Sequence, residues 1–125
     1  MIPKKILVVD DVPAMVDLLC VHLTKAGYTA CSAGDGLEAL EKVESENPDL
    51  IIMDVLMPKM TGFEALQRLR EDPKWRDLPV IVISGRDNLK EFFQDISGVE
   101  FLPKPYDSKE LLAKIEHLTR DKTGT

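Results

Sequence analysis

The segment Ile6-Leu7-Val8-Val9-Asp10-Asp11 decides the fold, because four aliphatic residues lead directly into two adjacent carboxylates. Two further apolar runs have the same design, since 50–53 ends at Asp54 and 80–83 ends at Ser84. Uninterrupted apolar runs of this length are typical of strands that are buried on both faces, as in a parallel sheet. We therefore expect a parallel sheet whose strands deliver polar groups to one edge, the edge at which open α/β sheets bind ligands.

A fourth run, 100–103, leads into Lys104 and Pro105, so the same edge also receives an ammonium group. The stretch 28–33 is a weaker strand that ends in the turn 34–36. Between the strands, the apolar residues change to the three- and four-residue spacing of amphipathic helices. The apolar helix residues are Met15, Leu18, Leu19 and Leu23, then Leu37, Leu40 and Val43, then Phe63, Leu66 and Leu69, then Leu89, Phe92, Phe93 and Ile96, and finally Leu111, Leu112, Ile115 and Leu118. Five strands that alternate with five helices predict an α/β doubly wound domain with a five-stranded parallel sheet.

Turn and capping residues mark the ends of these helices. Gly27 ends the first helix, the second stops before Asn47-Pro48, and Gly62 opens the third. Asp107 has the position of an N-cap for the last helix. The segment 72–77 is interpreted as a polar connector between the third helix and the fourth strand.

Length and charge bound the class of protein. A chain of 125 residues has the length of one domain. We expect 1–119 to form that domain and 120–125 to be a frayed polar tail, with no effector domain attached. A formal net charge of -6 argues against nucleic acid as a partner, because a phosphate backbone binds basic surfaces.

Neither a membrane nor a secreted location is indicated. No apolar stretch approaches the roughly 18 residues of a membrane span. The first residues lead straight into a strand and leave no room for a signal peptide. Cys20 and Cys31 are too far apart in sequence for a metal knuckle or a redox pair. We therefore expect a cytoplasmic protein with reduced thiols and no membrane partner.

The carboxylates predicted at the sheet edge, Asp10, Asp11 and Asp54, require a counter-charge. Two carboxylates about 5 Å apart repel each other by roughly 3 kcal/mol at an effective dielectric near 20. Lys104 supplies only one positive charge, so a divalent cation is needed for the remainder. An all-oxygen ligand set with positions left for water suits Mg²⁺ or Mn²⁺.

A magnesium site of this kind invites phosphoryl chemistry. Asp54, alone at the end of the central strand, is the best-placed attacking carboxylate, and its product would be an acyl phosphate. Ser84 could then hydrogen-bond one phosphoryl oxygen and Lys104 could pair with another. Gly85 would leave the approach open, and Pro105 is a candidate for a cis peptide bond that would fix the direction of the lysine.

Each of these residues also has a structural explanation. Asp11 could cap the first helix, with Pro13 just inside it, and Ser84 could cap the fourth. Asp54 could be a turn residue, and Lys104 could be a solvated surface lysine. Independent caps would have no reason to fall at the ends of four different strands of one sheet, so their joint placement favours a functional site.

Several motifs occur together and in a fixed order. They are Val8-Val9-Asp10-Asp11, Met53-Asp54-Val55-Leu56-Met57-Pro58, Gly62 at the start of the third helix, Val82-Ile83-Ser84-Gly85, and Phe101-Leu102-Pro103-Lys104-Pro105. In this combination the chain resembles a response-regulator receiver domain of two-component signalling, over nearly its whole length. The stand-alone receivers of chemotaxis are the most similar type.

The resemblance implies a phosphoacceptor. Asp54 would accept a phosphoryl group from the phosphohistidine of a sensor histidine kinase or a phosphotransfer protein. Asp10, Asp11 and Asp54 would hold Mg²⁺, with the main-chain carbonyl of Leu56 as a further ligand. The implied fold is flavodoxin-like with strand order 2-1-3-4-5, and the domain would catalyse its own phosphorylation without being an enzyme for other substrates.

The resemblance also implies a switch. Ser84 and Lys104 would bind the phosphoryl oxygens, and Phe101 would follow Ser84 into the space that it vacates. The face formed by the fourth helix, fifth strand and fifth helix would then change shape and control the binding of a downstream protein.

Two features depart from the common pattern of the family. The stretch between Ser84 and Lys104 is shorter than usual, which predicts a shortened or irregular fourth helix. Leu56 and Arg86 occupy positions that tune the lifetime of the phosphoryl group in this family. An apolar Leu56 would hinder water, so we expect slow autodephosphorylation.

The sequence disfavours three other functions. A phosphatase of the haloacid-dehalogenase type also uses a strand-end aspartate with Mg²⁺, but it carries Asp-x-Asp after the first strand, whereas Asp10 and Asp11 are adjacent. A phosphorylation-independent interaction module is disfavoured by the intact set of acids. A dinucleotide site lacks the glycine pattern after the first strand.

Overall fold

The structure, a computed structural model, describes residues 3–54, 62–85 and 98–120 of the chain. Five parallel strands form one sheet in the order β2-β1-β3-β4-β5, so the predicted strand order is confirmed. The strands are β1 Lys5–Val9, β2 Thr29–Ala33, β3 Leu50–Asp54, β4 Val80–Ser84 and β5 Val99–Pro103. Each predicted strand matches the observed one to within one residue at either end.

The helices of the described residues are α1 Pro13–Lys25, α2 Gly36–Glu46, α3 Gly62–Glu71 and α4 Ser108–Thr119. The helix here labelled α4 is the fifth helix of the sequence prediction. The predicted fourth helix, with Leu89, Phe92, Phe93 and Ile96, and its expected shortening lie outside the described residues.

The helix ends follow the capping signals of the sequence. Pro13 occupies the first turn of α1, and Gly27 follows that helix with a φ of 96°. Asn47 ends α2 in a left-handed conformation. At the start of α4, the side chain of Asp107 accepts a hydrogen bond from the backbone N–H of Lys109.

The N-terminus of α1 differs from the structural explanation offered for Asp11. The N-cap residue is Val12, and it makes no side-chain capping bond. Instead, the Oδ1 atom of Asp10 accepts a hydrogen bond of 2.9 Å from the backbone N–H of Val12. The side chain of Asp11 is therefore not used as the cap of this helix.

Both faces of the sheet are covered, as the apolar runs predict. Alternate strand residues point to opposite faces. Leu7 and Val9 belong to a core packed against α2 and α3, whereas Ile6 and Val8 belong to a core packed against α1 and α4. All four of these β1 side chains are at most 1% exposed. The sheet is thus a rigid support whose free surface is its edge.

The exposure of three apolar residues differs from what the sequence predicts. Leu18 and Leu37 are 46% and 47% exposed, because Leu19, Leu23, Ala39 and Val43 form the buried sides of α1 and α2. The connector 72–77 is not wholly polar in its contacts, since Trp75 is only 6% exposed. Its Nε1 atom donates a hydrogen bond of 2.9 Å to the Oε1 atom of Glu44 on α2.

The assigned core predicts that two leucines on helices contribute unequally to the free energy of unfolding. Leu66 on α3 is completely buried, and its replacement by alanine should lower the free energy of unfolding by about 2–5 kcal/mol. Leu37→Ala is the matched control on α2, and it should cost less than about 1 kcal/mol because that side chain is half exposed. Urea unfolding followed by circular dichroism measures both, and equal losses would contradict the assigned core.

Candidate functional site

Three carboxylates meet at the carboxyl edge of the sheet. Asp10 follows β1 and Asp54 ends β3, and these strands are paired in parallel with Val9 opposite Met53. Asp10, Asp11 and Asp54 each place a carboxylate oxygen so that the three oxygens lie within 4.8 Å of one another. The convergence predicted from the sequence is therefore present in the fold.

The three acids differ in their access to solvent. Asp10 is only 5% exposed, the side chain of Asp54 is 15% exposed, and Asp11 lies on the surface. An incoming group approaching from solvent therefore reaches Asp54 and Asp11 more readily than Asp10.

Lys104 forms an ion pair with Asp54. Its Nζ atom is 3.2 Å from the Oδ2 atom of Asp54, and its side chain is 31% exposed. The peptide bond between Lys104 and Pro105 is cis, as the sequence analysis suggested. The Lys104 ammonium therefore pairs with the carboxylate of the expected phosphoacceptor, Asp54. Lys104 is not a solvated surface lysine.

Ser84 and Gly85 complete this edge from β4. Ser84 is 2% exposed, and its carbonyl oxygen accepts a hydrogen bond of 2.9 Å from the backbone N–H of Lys104. Within the part of the chain that the structure describes, a side chain added at Gly85 would meet no atom within 4 Å. Phe101 on β5 is half-buried and packs against the core on the α2 and α3 face.

Two predicted site residues lie outside the described residues. They are Leu56, the source of the expected main-chain metal ligand, and Arg86, the second residue expected to tune the phosphoryl lifetime. The roles assigned to them stay predictions.

The electrostatics of Asp10 show the cost of bringing the acids together. Burial raises the pKa of its carboxyl above the usual value, and the charges of Asp54 and Asp11 raise this pKa further. The hydrogen bond from the backbone N–H of Val12 and the charge of Lys104 act in the opposite direction but do not cancel the effect. A divalent cation between the three acids would reverse this balance, because it stabilises their ionised forms.

The donor set fits magnesium. All three side chains offer carboxylate oxygens, which hard divalent cations prefer. The exposed position of Asp11 leaves room for the water molecules that Mg²⁺ normally retains. Asp10, Asp11 and Asp54 would hold the ion, whose charge would neutralise oxygens of a phosphoryl group.

One feature beside this site was not predicted. A pocket of about 430 Å³ shares Lys104 with the site, and its lining residues are Met15, Leu18, His22, Lys104, Pro105 and Tyr106. No sequence signal predicts it, because the exposure of Leu18 and the residues that lie beside it are known only from the fold.

The comparison with protein families agrees with this geometry. Residues 6–116 match the response regulator receiver domain family. The chain belongs to that family. The receiver domain is a signalling module that is generally non-enzymatic, and its members act in two-component systems.

Similar receivers occur in longer bacterial regulators. The chain is 36% identical over 118 residues to the DNA-binding dual master transcriptional regulator RpaA of Synechocystis sp., covering 93% of this chain and 49% of RpaA. It is 42% identical over 120 residues to the response regulator PleD of Caulobacter vibrioides, covering 94% of this chain and 26% of PleD. The chain therefore spans about half, or less, of the length of these curated relatives.

Solved structures of other receivers superpose closely on this chain. The chemotaxis response regulator CheY4 of Vibrio cholerae has a TM-score of 0.85 at 30% identity, with 94% of this chain and 99% of that chain covered. The response regulator TrrA of Thermotoga maritima, solved in complex with Mg(2+)-BeF, has a TM-score of 0.83 at 34% identity, with 92% and 98% covered. Within the described residues of this receiver, no helix has the length and apolarity needed to cross a membrane.

The raised pKa of Asp10 predicts opposite effects of one substitution. Asp10→Asn should increase the free energy of unfolding of the metal-free protein at pH 7 by on the order of 1 kcal/mol, because it removes a buried, repelled charge. The same change should weaken Mg²⁺ binding about tenfold or more, because a ligand is lost. Thermal unfolding with and without Mg²⁺ measures both effects. Asp17→Asn on the exposed side of α1 is the control and should change neither.

The same pKa fixes the sign of the pH dependence. An acid whose pKa is raised in the folded state binds its proton at a higher pH than in the unfolded chain, so this group stabilises the fold at low pH and loses that contribution as pH rises. Protonation also removes a metal ligand. The stabilisation by Mg²⁺ should therefore shrink as the pH falls from neutral, and it should begin to shrink at a higher pH than for a carboxyl with an ordinary pKa. A stabilisation that stays constant until ordinary carboxyls titrate would contradict the assignment of Asp10 as a ligand.

Proposed function

We propose that this receiver accepts its phosphoryl group on Asp54. The supporting observation is the position of this carboxylate at the end of the central strand, where it belongs to the acid cluster and also pairs with the Lys104 ammonium at 3.2 Å. Asp10 is a poorer nucleophile because its burial opposes ionisation. Asp11 belongs to no strand, so its carboxylate is held less firmly in place.

The reaction is an in-line displacement at phosphorus. An Oδ atom of Asp54 forms a new bond to phosphorus while the bond from phosphorus to the imidazole nitrogen of the donor phosphohistidine breaks, and that nitrogen keeps the electron pair. Asp10, Asp11 and Asp54 would hold Mg²⁺ or Mn²⁺, with the Leu56 carbonyl as the further ligand that the family resemblance implies. The Mg(2+)-BeF complex of the similar TrrA receiver supports Mg²⁺ as the resident ion.

Ser84, Gly85 and Lys104 receive the new phosphoryl oxygens in this proposal. Phosphorylation adds about -1.5 to -2 charges to the site, and Lys104 and the hydroxyl of Ser84 would donate hydrogen bonds to the new oxygens. Ser84 is linked to Lys104 through the backbone, so both donors respond together. Phe101 on the neighbouring strand β5 follows, which alters the surface around β5 and α4.

A few new hydrogen bonds to the phosphoryl group can supply the free energy that this conformational change requires. Moving a two-state equilibrium from mostly off to mostly on requires roughly 5 kcal/mol of differential interaction. Hydrogen bonds to charged groups contribute about 1.5–3 kcal/mol each, so two or three of them are enough. The altered surface then binds a downstream protein.

The phosphodonor is proposed to be a protein that covers α1. Val12, Leu18 and Val21 are 46–49% exposed, and Val12 directly follows Asp11. An apolar surface that adjoins a charged reaction centre is suited to a partner that must exclude water during transfer. The half-buried free thiols of Cys20 and Cys31 agree with a cytoplasmic location of this receiver.

We also propose a slow loss of the phosphoryl group. Leu56 and Arg86 are the residues assigned to this effect, the first because an apolar side chain beside the aspartyl phosphate hinders water. The decay of the phosphorylated form after removal of the donor measures it, and rapid decay would contradict the proposal.

Intact mass after incubation with acetyl phosphate and Mg²⁺ tests the phosphoacceptor directly. We expect one phosphoryl adduct, which hydroxylamine removes because it is an acyl phosphate. The adduct should be absent from Asp54→Asn and from a sample with EDTA. A folded native receiver that gains no adduct under conditions that label other receivers would instead favour an interaction module that works without phosphorylation.

A further inference from the structure

A second cleft lies between α2, α3 and the connector that follows α3. Its volume is about 380 Å³. The lining includes the ring of Trp75 and three carboxylates, Glu44, Glu71 and Asp72, together with one cation, Arg68. Among the described residues, this cleft shares no lining residue with the acid cluster or with the pocket on α1. Its chemistry is therefore separate from that of the phosphoacceptor site.

Trp75 holds one carboxylate of this cleft in a fixed orientation. Its Nε1 atom donates a hydrogen bond of 2.9 Å to the Oε1 atom of Glu44. This hydrogen bond, followed by one from Lys74, holds the pKa of the Glu44 carboxyl below its ordinary value. The carboxylate is therefore ionised at neutral pH, and its second oxygen, Oε2, can accept a cation.

The chain places a cation of its own on this oxygen. The Nζ atom of Lys74 lies 3.1 Å from the Oε2 atom of Glu44 and 5.1 Å from the centroid of the Trp75 ring. A cation in this position is attracted both by the charge of the carboxylate and by the quadrupole of the indole ring. Lys74 thus shows which chemical class of group binds here.

The ammonium of Lys74 is easily displaced, whereas the groups that receive it are fixed. The side chains of Lys74 and Glu44 are 61% and 55% exposed, and water weakens an ion pair that is this open. The backbone of the connector is held by two hydrogen bonds, because Asp72 accepts one from the backbone N–H of Lys74 and another from that of Trp75. An incoming cation therefore meets a preformed acceptor and has to displace only a flexible side chain.

A guanidinium group fits this acceptor better than an ammonium group does. It is planar, so it can stack on an aromatic ring while it donates two parallel hydrogen bonds to a carboxylate. Glu71 and Asp72 add negative charge to the same cleft and outnumber Arg68. The formal net charge of -6 also attracts basic proteins during their approach.

We propose that the cleft between α2 and α3 binds an arginine side chain of a partner protein, and that Lys74 pairs with Glu44 when this partner is absent. The guanidinium replaces the ammonium on the carboxylate of Glu44 and on the ring of Trp75. No covalent step is involved, and binding does not require phosphorylation of Asp54. The receiver then has a docking surface apart from the one around β5 and α4.

The indole N–H of Trp75 provides a direct measurement. Trp75 is the only tryptophan of the chain, so its indole gives a single cross-peak in a proton–nitrogen NMR spectrum. The probe is N-acetyl-arginine amide, which is titrated into the native unphosphorylated receiver at constant ionic strength. N-acetyl-citrulline amide has nearly the same shape without the charge. The arginine probe should shift the cross-peak saturably, and the citrulline probe should cause less than about a fifth of that shift.

Two exposed lysines provide matched variants. Lys74→Ala removes the internal competitor and should tighten binding of the arginine probe by about threefold to fivefold. Lys109→Ala on α4 makes the same change in net charge outside the cleft, and it should leave the Kd unchanged. Glu44→Gln keeps an oxygen acceptor for the Trp75 indole but removes the charge, so it should weaken binding by at least about fivefold. The urea midpoint of each variant shows that it is folded.

Several results would overturn the proposal. Equal shifts by the two probes would show that the charge is not recognised. A Kd that Lys74→Ala changes no more than Lys109→Ala would show that Lys74 does not compete for the site. Binding that Glu44→Gln leaves unchanged, or a cross-peak that responds to the arginine probe neither in the native receiver nor in Lys74→Ala, would also contradict it. Phosphorylation of Asp54 is tested separately by intact mass and is unaffected by any of these results.

Discussion

Repulsion among three carboxylates at one edge of the sheet is the constraint to which the rest of the site responds. The fold brings Asp10, Asp11 and Asp54 together although burial and like charges raise the pKa of Asp10. The ion pair between Lys104 and Asp54 compensates only part of this cost. Such a cluster lowers the stability of the metal-free fold, which is typical of a functional site. A divalent cation would offset the repulsion and would also neutralise the charge of a phosphoryl group.

A rigid sheet makes this arrangement possible. Its strands are covered on both faces, so the acids at their carboxyl ends cannot move apart without disturbing two cores. The ends of β4 and β5 are tied by the hydrogen bond from the Lys104 amide to the Ser84 carbonyl. Movement toward a phosphoryl group is therefore confined to a few side chains and loop ends, which is how a small charge change becomes a discrete change of surface.

The strands and the acids could be predicted from the sequence because their signals are local. An apolar run followed by a carboxylate specifies both a buried strand and the group at its end, and parallel pairing then fixes where the groups meet. The N-terminus of α1 could not be predicted in the same way, since either Asp10 or Asp11 could have bonded the first turn, and the fold uses Asp10. The burial of Trp75 could not be predicted from the polar segment around it, because its hydrogen-bond partner, Glu44, is 31 residues away in the sequence.

The apolar pocket belongs to the same class of long-range features. Leu18 and Pro105 are far apart in the chain, and only the packing of α1 beside the end of β5 makes them neighbours. An apolar surface and a charged surface therefore lie side by side. In the proposed function, charged groups at the sheet edge would hold a metal and a phosphoryl group but would not distinguish one donor from another, because every donor presents the same phosphoryl charge. Selection among donors would then depend on the surface that meets the rest of the donor molecule, and apolar side chains of α1 and of the segment after β5 line one pocket with Lys104.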